Sequence, residues 1–327
     1  MAEERAAAEQ RQLESIAALE RGELPLAARE RIDELRSPGA AWTSDLSVAE
    51  LAAVHHAGFE PVGMVMGSTV YRMATQWGYS NVFGGGMLGG QTAYGSTYGN
   101  ARTGEVQSYP CTHGWGMGMG MGAGHRWGYN WEHTMFEDGV LAARDAALVR
   151  IIEEARDLDA HGVVGVRLIR RHLEGVGSAL EFTAIGTAIR RTGGPHLNQP
   201  FMSHLDGVAF GKLLHGGYVP VSLVIGVGAV EIDSGCTTEW MLRSWNNARI
   251  DQISDGIEMA RLLGISRLEG ELEAVDADGA VGVDVEFTNH EVATGALLVE
   301  LISIGTAVRR YAKDPMDEVP LPIMRLR

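Results

Sequence analysis

The sequence lacks the features of a secreted or nucleic-acid-binding protein. It has two cysteines among 327 residues, Cys111 and Cys236, and they form no CxxC motif. This count excludes a disulfide framework and fits a reducing compartment. Lys and Arg number 27 against 42 Asp and Glu, which leaves a formal net charge of -15. Because phosphate binding needs a clustered cationic surface, no nucleic-acid partner is expected, and docking on anionic lipid is disfavoured.

Targeting and membrane-spanning segments are missing as well. The first residues, MAEERAAAEQRQLE, contain neither the basic n-region nor the apolar h-region of a signal peptide. The longest apolar run, residues 213–230, is interrupted by a His, a Pro and several Gly, which favours strand–turn–strand over a membrane span. We therefore expect a cytoplasmic protein.

Catalytic motifs are also absent, because the sequence contains no GxSxG, P-loop or HExxH pattern. Gly84, Gly86 and Gly89 spell GxGxxG, but this stretch is saturated with glycine and lacks the flanking strand and helix of a nucleotide site. The run from Ser203 to Asp206 contains the residue types of a catalytic triad, yet neighbours in sequence rarely meet as triad partners. We expect a protein that is not an enzyme.

The sequence does contain an internal repeat, in which three segments of the first half recur in the same order in the second half. The offset between the copies is 159 residues for the first segment, 117 for the second and 119 for the third, so the first copy carries an insertion. Three matches in one order indicate a duplication. The pairs are FEPVGMVMG and YVPVSLVIG (59–67 and 218–226), AHGVVGV and ADGAVGV (160–166 and 277–283), and AIGTAIRR and SIGTAVRR (184–191 and 303–310).

Each copy predicts the same α+β module. Hydrophobic residues recur at helical spacing over residues 141–158 and 250–263, and each stretch follows an apolar strand and precedes a hairpin of two strands. Ser47 and Glu50 form a capping-box pattern that opens a short lead-in helix. The predicted order is therefore βαββ, with Gly264 and Gly270 weakening the end of the second long helix.

The repeat divides the chain into an N-terminal helical segment (1–40), a first module (41–195) with a Gly/Met/aromatic insertion at about 84–131, a second module (196–313) and an extended tail (314–327). A three-stranded sheet with one helix has a small core and open edges. Because neighbouring copies would close those edges, we expect a homo-oligomer.

The run ARDAALVRIIEEARDLDAHGVVGVRL, followed by a short turn and EFTAIGTAIRR, closely resembles the YbjQ-like family, which is named for heavy-metal binding. The second copy matches through ARLLGISRLEGELEAVDADGAVGVDV and SIGTAVRR. The resemblance implies tandem βαββ modules of dodecin-like fold that assemble into a ring or barrel, typically a pentamer. It implies little about activity, because the matched residues are Gly, Val, Ala, Thr and Arg and the insertion lies outside the family core.

The insertion holds a group of residues with the character of metal ligands. Thiolate, thioether and imidazole groups together suit Cu(I), and thiolate and imidazole groups suit Zn. The structural alternative is that alternating Met and Gly form a pliable apolar ridge that another backbone can approach closely. A third interpretation is membrane contact through the Trp, Met and Gly residues. The candidate ligands are Cys111, His113, Met117, Met119, Met121, His125 and His133.

His56 and His215 occupy the same position in the two copies. Across a pseudo-symmetric interface they could face each other and bind a metal ion, whereas a His that ends a helix also interacts favourably with the C-terminal carbonyls. Three hypotheses follow. The protein is a metal-binding, non-enzymatic oligomer that uses Cu(I) or Zn, a scaffold ring of five copies assembled through the insertion, or an oligomer that contacts a membrane.

Overall fold

The computed structural model describes residues 2–37, 39–72, 106–109, 127–173, 179–194, 199–245, 247–293 and 296–311. These residues form a mixed α+β structure with two sheets, which confirms the predicted class. The predicted tail and the greater part of the insertion lie outside the described residues. The described helices are α1 (Ala2–Glu20), α2 (Leu26–Arg36), α3 (Val48–His56), α4 (Thr134–Asp157), α5 (Gly207–His215), α6 (Cys236–Arg243) and α7 (Asp251–Ala274). The strands are β1 (Phe59–Arg72), β2 (Val106–Tyr109), β3 (Gly128–Glu132), β4 (Gly162–His172), β5 (Ala179–Arg191), β6 (Phe201–Met202), β7 (Tyr218–Asp233), β8 (Gly279–Ala293) and β9 (Ala296–Arg310).

The N-terminal segment is helical, as predicted, and α2 lies on α4. Ile32 of α2 is buried. Arg31 pairs with Glu154 of α4, and Arg36 donates to the backbone oxygen of Asp157. An apolar contact and two guanidinium contacts therefore hold α2 against the first long helix.

Each half of the chain contributes three long antiparallel strands in the same order. In the first half (39–194) β5 lies between β1 and β4, and in the second half (199–311) β9 lies between β7 and β8. The registers agree, since Met66 pairs with Ile185 and the equivalent Ile225 pairs with Ile304. The register breaks fall at equivalent places too, after residues 61 and 220 in the first strands and after residues 164 and 281 in the second. The two halves therefore share one topology of strand, long helix and hairpin.

A glycine in the first strand of each half lets the long helix lie directly on the sheet. A Cβ atom on Gly67 would lie 2.0 Å from the backbone oxygen of Ala147 in α4, and one on Gly226 would lie 1.9 Å from that of Gly264 in α7. Both positions thus require glycine. α7 continues through Gly264 to Ala274, so the predicted weakening of the helix end is not observed. A Cβ atom on Gly264 would lie 2.4 Å from Cδ2 of Leu301, so glycine at this position lets the helix pack on β9.

The same two polar contacts join helix to strand in both halves. A glutamate of the long helix accepts a hydrogen bond from a backbone N–H of the first strand, and an arginine one turn earlier donates to a backbone oxygen of that strand. These contacts satisfy backbone groups at the strand edge, so they fix the helix in place. The pairs are Glu154 with Met66 (2.8 Å) and Arg150 with Ser68 in the first half, and Glu271 with Ile225 (2.7 Å) and Arg267 with Val227 in the second.

The described ends of the insertion join the sheet of the second half. β2 pairs with β3, and β3 pairs with residues 230–233 of β7, so this sheet has the order β2-β3-β7-β9-β8. Asn130 of β3 is buried and donates to the backbone oxygen of Gln252 at the start of α7 (2.8 Å). In sequence the insertion belongs to the first module. The structure adds that its ends extend the sheet formed by the second.

Candidate functional site

The ligand set predicted in the insertion falls almost wholly outside the described residues. His133 is the exception, and its Nδ1 atom accepts the backbone N–H of Phe136 (3.2 Å) at the start of α4. Because a capping hydrogen bond occupies this ring nitrogen, His133 serves the fold. The residues outside the description are Cys111, His113, Met117, Met119, Met121 and His125.

Cys236 corrects an expectation drawn from composition. The cysteine count predicts no disulfide framework and a reducing compartment, but Cys236 is disulfide-bonded. The spacing of cysteines along a chain does not reveal which distant segments fold together, and only their distance in the folded chain decides whether they can bond. The chain has one other cysteine, Cys111.

The structure brings His56 and His215 together at the C-terminal ends of α3 and α5. Their ring centroids are 5.9 Å apart and the rings are tilted by 36°. The two helices approach closely because Gly207 has no side chain, since a Cβ atom there would lie 2.8 Å from the backbone oxygen of Glu50. Both imidazoles are exposed, so they are accessible to a metal ion.

A metal bound by this pair would need further ligands. Within the described part of the chain, no group of three or more His, Cys, Asp or Glu side chains is arranged to hold a metal ion. Zinc sites use three or four protein ligands, with water completing the open ones. The pair from His56 and His215 therefore offers two ligands of a larger shell.

The two halves of the chain pack against each other through one apolar cluster. The first half contributes Val140 and Leu148 of α4 and Val166 of β4, and the second contributes Ile225 and Ala229 of β7. All five side chains are buried, with exposures from 0% to 8%. This contact fixes the second half on the helix and hairpin of the first.

A buried ion pair crosses the same contact. Arg170 of β4 pairs with Glu300 of β9 and also donates to Oγ1 of Thr288 (3.3 Å). The Glu300 side chain is fully buried. Removing Arg170 alone would leave a buried charge, so the pair holds the halves in one arrangement.

The second half exposes the side chains equivalent to those that the first half buries in this contact. The equivalents of Val140, Leu148 and Val166 are between 39% and 42% exposed, and Val285 and Phe287 continue the row along β8 at 54% and 49%. We call this set the α7/β8 surface. Its members are Ile257, Ile265, Val283, Val285 and Phe287.

The first half exposes the positions equivalent to the sheet side of the contact. Met66 and Val70 of β1 are 43% and 58% exposed, whereas Ile225 and Ala229 of β7 are 3% and 0% exposed. Ile185 of β5 pairs with Met66 and is half-buried. We call Met66, Val70 and Ile185 the β1 surface. Apolar patches of this kind commonly mark interaction sites.

The α7/β8 surface and the β1 surface are the exposed counterparts of the two sides of the contact that joins the halves. The first corresponds to the helix and hairpin side, and the second to the sheet side. Because unlike surfaces meet, the contact is heterologous, and such contacts repeat from copy to copy.

A buried cluster of charges surrounds Arg267 of α7. Its guanidinium pairs with Glu132 and Glu137, whose side chains are fully buried. Burial raises the pKa of Glu137 to about 7, against the opposing effect of Arg267. Burial also raises the pKa of Glu231 to about 7, and the Asp233 carboxylate adds to this effect.

His133 lies beside this cluster, with Nε2 3.8 Å from Oε2 of Glu231. Burial lowers the pKa of His133, which favours the neutral imidazole. The cluster was not visible in the sequence because Arg267 lies 135 residues after Glu132 along the chain. Glu137 gave one signal, since Val140 and Leu141 follow it by one turn of α4 and the helical spacing therefore places a carboxylate beside apolar residues.

Comparison with known proteins gives two matches. Residues 112–192 match the YbjQ_1 family, described as "Putative heavy-metal-binding", which supports the resemblance found in the sequence. Over 274 residues the chain is 33% identical to the encapsulin nanocompartment protein Rv1762c of Mycobacterium tuberculosis, and the similarity covers 82% of this chain and 86% of that protein. The YbjQ_1 match spans α4, β4 and β5 and does not include His56 or His215.

Proposed function

Because the chain belongs to the same family as the encapsulin nanocompartment protein Rv1762c, we propose that it is a self-assembling, non-enzymatic component of such a compartment. Its copies join head to tail, with the α7/β8 surface of one copy on the β1 surface of the next. The unit that repeats along the assembly is a βαββ module of dodecin-like fold, present twice in each chain.

One observation carries this proposal: equivalent apolar positions are buried in one half and exposed in the other. Val283 is 42% exposed where Val166 is 3% exposed. Exposure of apolar area to water is unfavourable by roughly 25 cal/mol per Å². Docking a second copy would remove the α7/β8 surface from water in the way that the internal contact already buries Val166.

The proposed assembly is a closed ring. A heterologous contact adds copies until the rotation between neighbours completes a circle. The resemblance to the YbjQ-like family favours a five-fold ring of five copies. The number of copies depends on the rotation between the two halves of each chain, and native mass measures it.

Charged substitutions on the two surfaces test the proposal. Val285→Glu places a charge where the single chain leaves the side chain 54% exposed, so the fold should persist while docking is opposed. We expect the native mass to fall to that of one chain, 35.2 kDa. Met66→Glu should act in the same way from the β1 surface.

The control for this test is Val149→Glu, at a position of α4 that is 52% exposed and outside both surfaces. It should leave the native mass unchanged. A monomeric wild-type protein, or an oligomer whose mass is unchanged in both surface variants, would overturn the proposal.

Transition-metal binding is a second candidate function, favoured by the 5.9 Å approach of the His56 and His215 rings. Imidazole is the commonest metal ligand in proteins, and the C-terminal ends of α3 and α5 present partial negative charge to a cation at this place. The insertion is the alternative location, with His113 among its candidate ligands. Cys111 could supply a thiolate there only in the reduced protein, because Cys236 is disulfide-bonded and Cys111 is the other cysteine of the chain. Zn and Cu(I) are the metals that the ligand chemistry suits.

Elemental analysis of the reduced protein after loading with Zn or Cu(I) separates the two locations. His56→Ala combined with His215→Ala should remove a metal held between the helices, whereas Cys111→Ser combined with His113→Ala should remove one held by the insertion. His55→Ala, at an exposed neighbouring position of α3, is the control. Unchanged metal stoichiometry in both double variants would exclude these residues as ligands.

A further inference from the structure

We propose that residues 42–46, which precede α3, pair as an added strand with the edge of β8 in a second copy of the chain, with Trp42 seated over Gly279. This inference rests on the head-to-tail assembly proposed above and names the backbone contact that orders it.

The segment that precedes α5 shows how such a contact is made within the chain. Residues 201–205 run along β4, and β6 pairs with it in parallel. The segment completes the edge of the first sheet, so β4 presents no free backbone groups there. The N–H groups and their acceptor oxygens are Phe201 to His161 (3.1 Å), Ser203 to Val163 (2.9 Å), Gly165 to Leu205 (2.9 Å) and Val166 to Ser203 (3.0 Å).

An aromatic ring anchors this internal strand. Phe201 lies over Gly162 so closely that a Cβ atom on Gly162 would come within 2.3 Å of the ring. Gly279 is the equivalent residue of β8, and a Cβ atom there would meet nothing within 4 Å. Since β8 is the last strand in the described order of its sheet, the equivalent seat is open.

Residues 42–46 are the equivalent of residues 201–205 and lie in the same place on their own half. The backbone N–H of Asp45 donates to Oγ1 of Thr187 (3.1 Å), as that of His204 donates to Oγ1 of Thr306 (3.2 Å). Trp42 stands at the position of Phe201 and is 45% exposed. An anchoring aromatic side chain and an empty seat are therefore both present in each copy.

The direction of the internal contact places the partner in another copy. Inside the chain, residues 201–205 of the second half pair with β4 of the first half. If a two-fold axis related the halves, residues 42–46 of the first half would in return pair with β8 of the same chain. Among the described strands, however, β8 pairs with β9 alone. In the proposed pairing the next strand comes from a second molecule. Adding a strand to an open sheet edge is a common mode of protein recognition, and an open apolar edge left uncovered invites aggregation.

Substitutions at the anchor and at the seat test this pairing separately from the apolar surfaces. Trp42→Ala removes the anchor. Gly279→Leu fills the seat with a side chain that meets open space in the single chain, so the fold is kept. We expect each change to raise the concentration at which half of the protein is assembled by about tenfold or more, as loss of a central aromatic contact does. Gly270→Leu, at another position with open space, is the control and should have no such effect.

Amide hydrogen exchange gives a second readout. The outward N–H groups of Gly282 and Val283, equivalent to those of Gly165 and Val166, should exchange slowly in the assembled wild type and rapidly in the Trp42→Ala protein. An assembled protein whose mass and exchange are unchanged in both variants would overturn the strand pairing and leave self-assembly standing. A monomeric wild type would overturn both.

Discussion

At the scale of single residues, the fold depends on glycines that admit a helix backbone. Gly226→Ala would place a Cβ atom 1.9 Å from the backbone oxygen of Gly264 and 2.7 Å from Oγ of Ser303. We expect a loss of roughly 3 kcal/mol in the free energy of unfolding, the cost of overpacking a site that cannot relax. Denaturant titration measures this loss.

Gly270→Ala is the control, because a Cβ atom at this position of α7 meets open space. Its free energy of unfolding should rise by about 0.5–1 kcal/mol through helix propensity. Equal effects of the two changes would contradict this account.

Glu231 makes stability depend on pH. Its pKa is raised to about 7 from an ordinary value of 4.5, so its contribution to stability is present below pH 4.5 and is lost as the pH rises through 7. Glu231→Gln cannot ionise, and it should gain roughly 2 kcal/mol on the wild type between pH 5 and pH 8. Unfolding curves at the two pH values check this, with Glu60→Gln, an exposed carboxylate of β1, as the control.

Local residue features were predictable, and contacts at long range were not. The capping box of Ser47 and Glu50 is confirmed, because both partners lie within one turn. The approach of His56 and His215 was raised as a hypothesis only because the repeat aligned them. Glu132 and Arg267 gave no sequence signal, since their pairing depends on how the insertion folds back onto α7.

At the scale of elements, periodicity predicted the long helices and the strands of each half. The positions of β2 and β3 were not predictable, because a glycine-rich stretch carries little hydrophobic pattern. The continuation of α7 past Gly264 was also missed. Helix propensity counts glycine as a loss, whereas here Leu301 of β9 packs where a side chain at residue 264 would lie. The segments before α3 and α5 have no regular pattern, and their role in pairing becomes visible only when the two halves are compared in three dimensions.

At the scale of the whole molecule, duplication creates a directional contact. One copy of the contact forms inside the chain, where Val166 and Ile225 are buried. The two surfaces that would form a second copy of the contact, the α7/β8 surface and the β1 surface, both remain exposed in the single chain. The sequence predicted that small sheets with open edges would associate, but exposure of equivalent residues was needed to say which surfaces meet.

Mixing two assembly-deficient variants tests the head-to-tail contact most directly. The Val285→Glu protein keeps its β1 surface, and the Met66→Glu protein keeps its α7/β8 surface. Native mass spectrometry of the mixture should therefore show a heterodimer of one copy of each, about twice 35.2 kDa, and nothing larger, while each variant alone remains a monomer. A mixture that stays monomeric, or one that forms complexes larger than the heterodimer, would contradict the account.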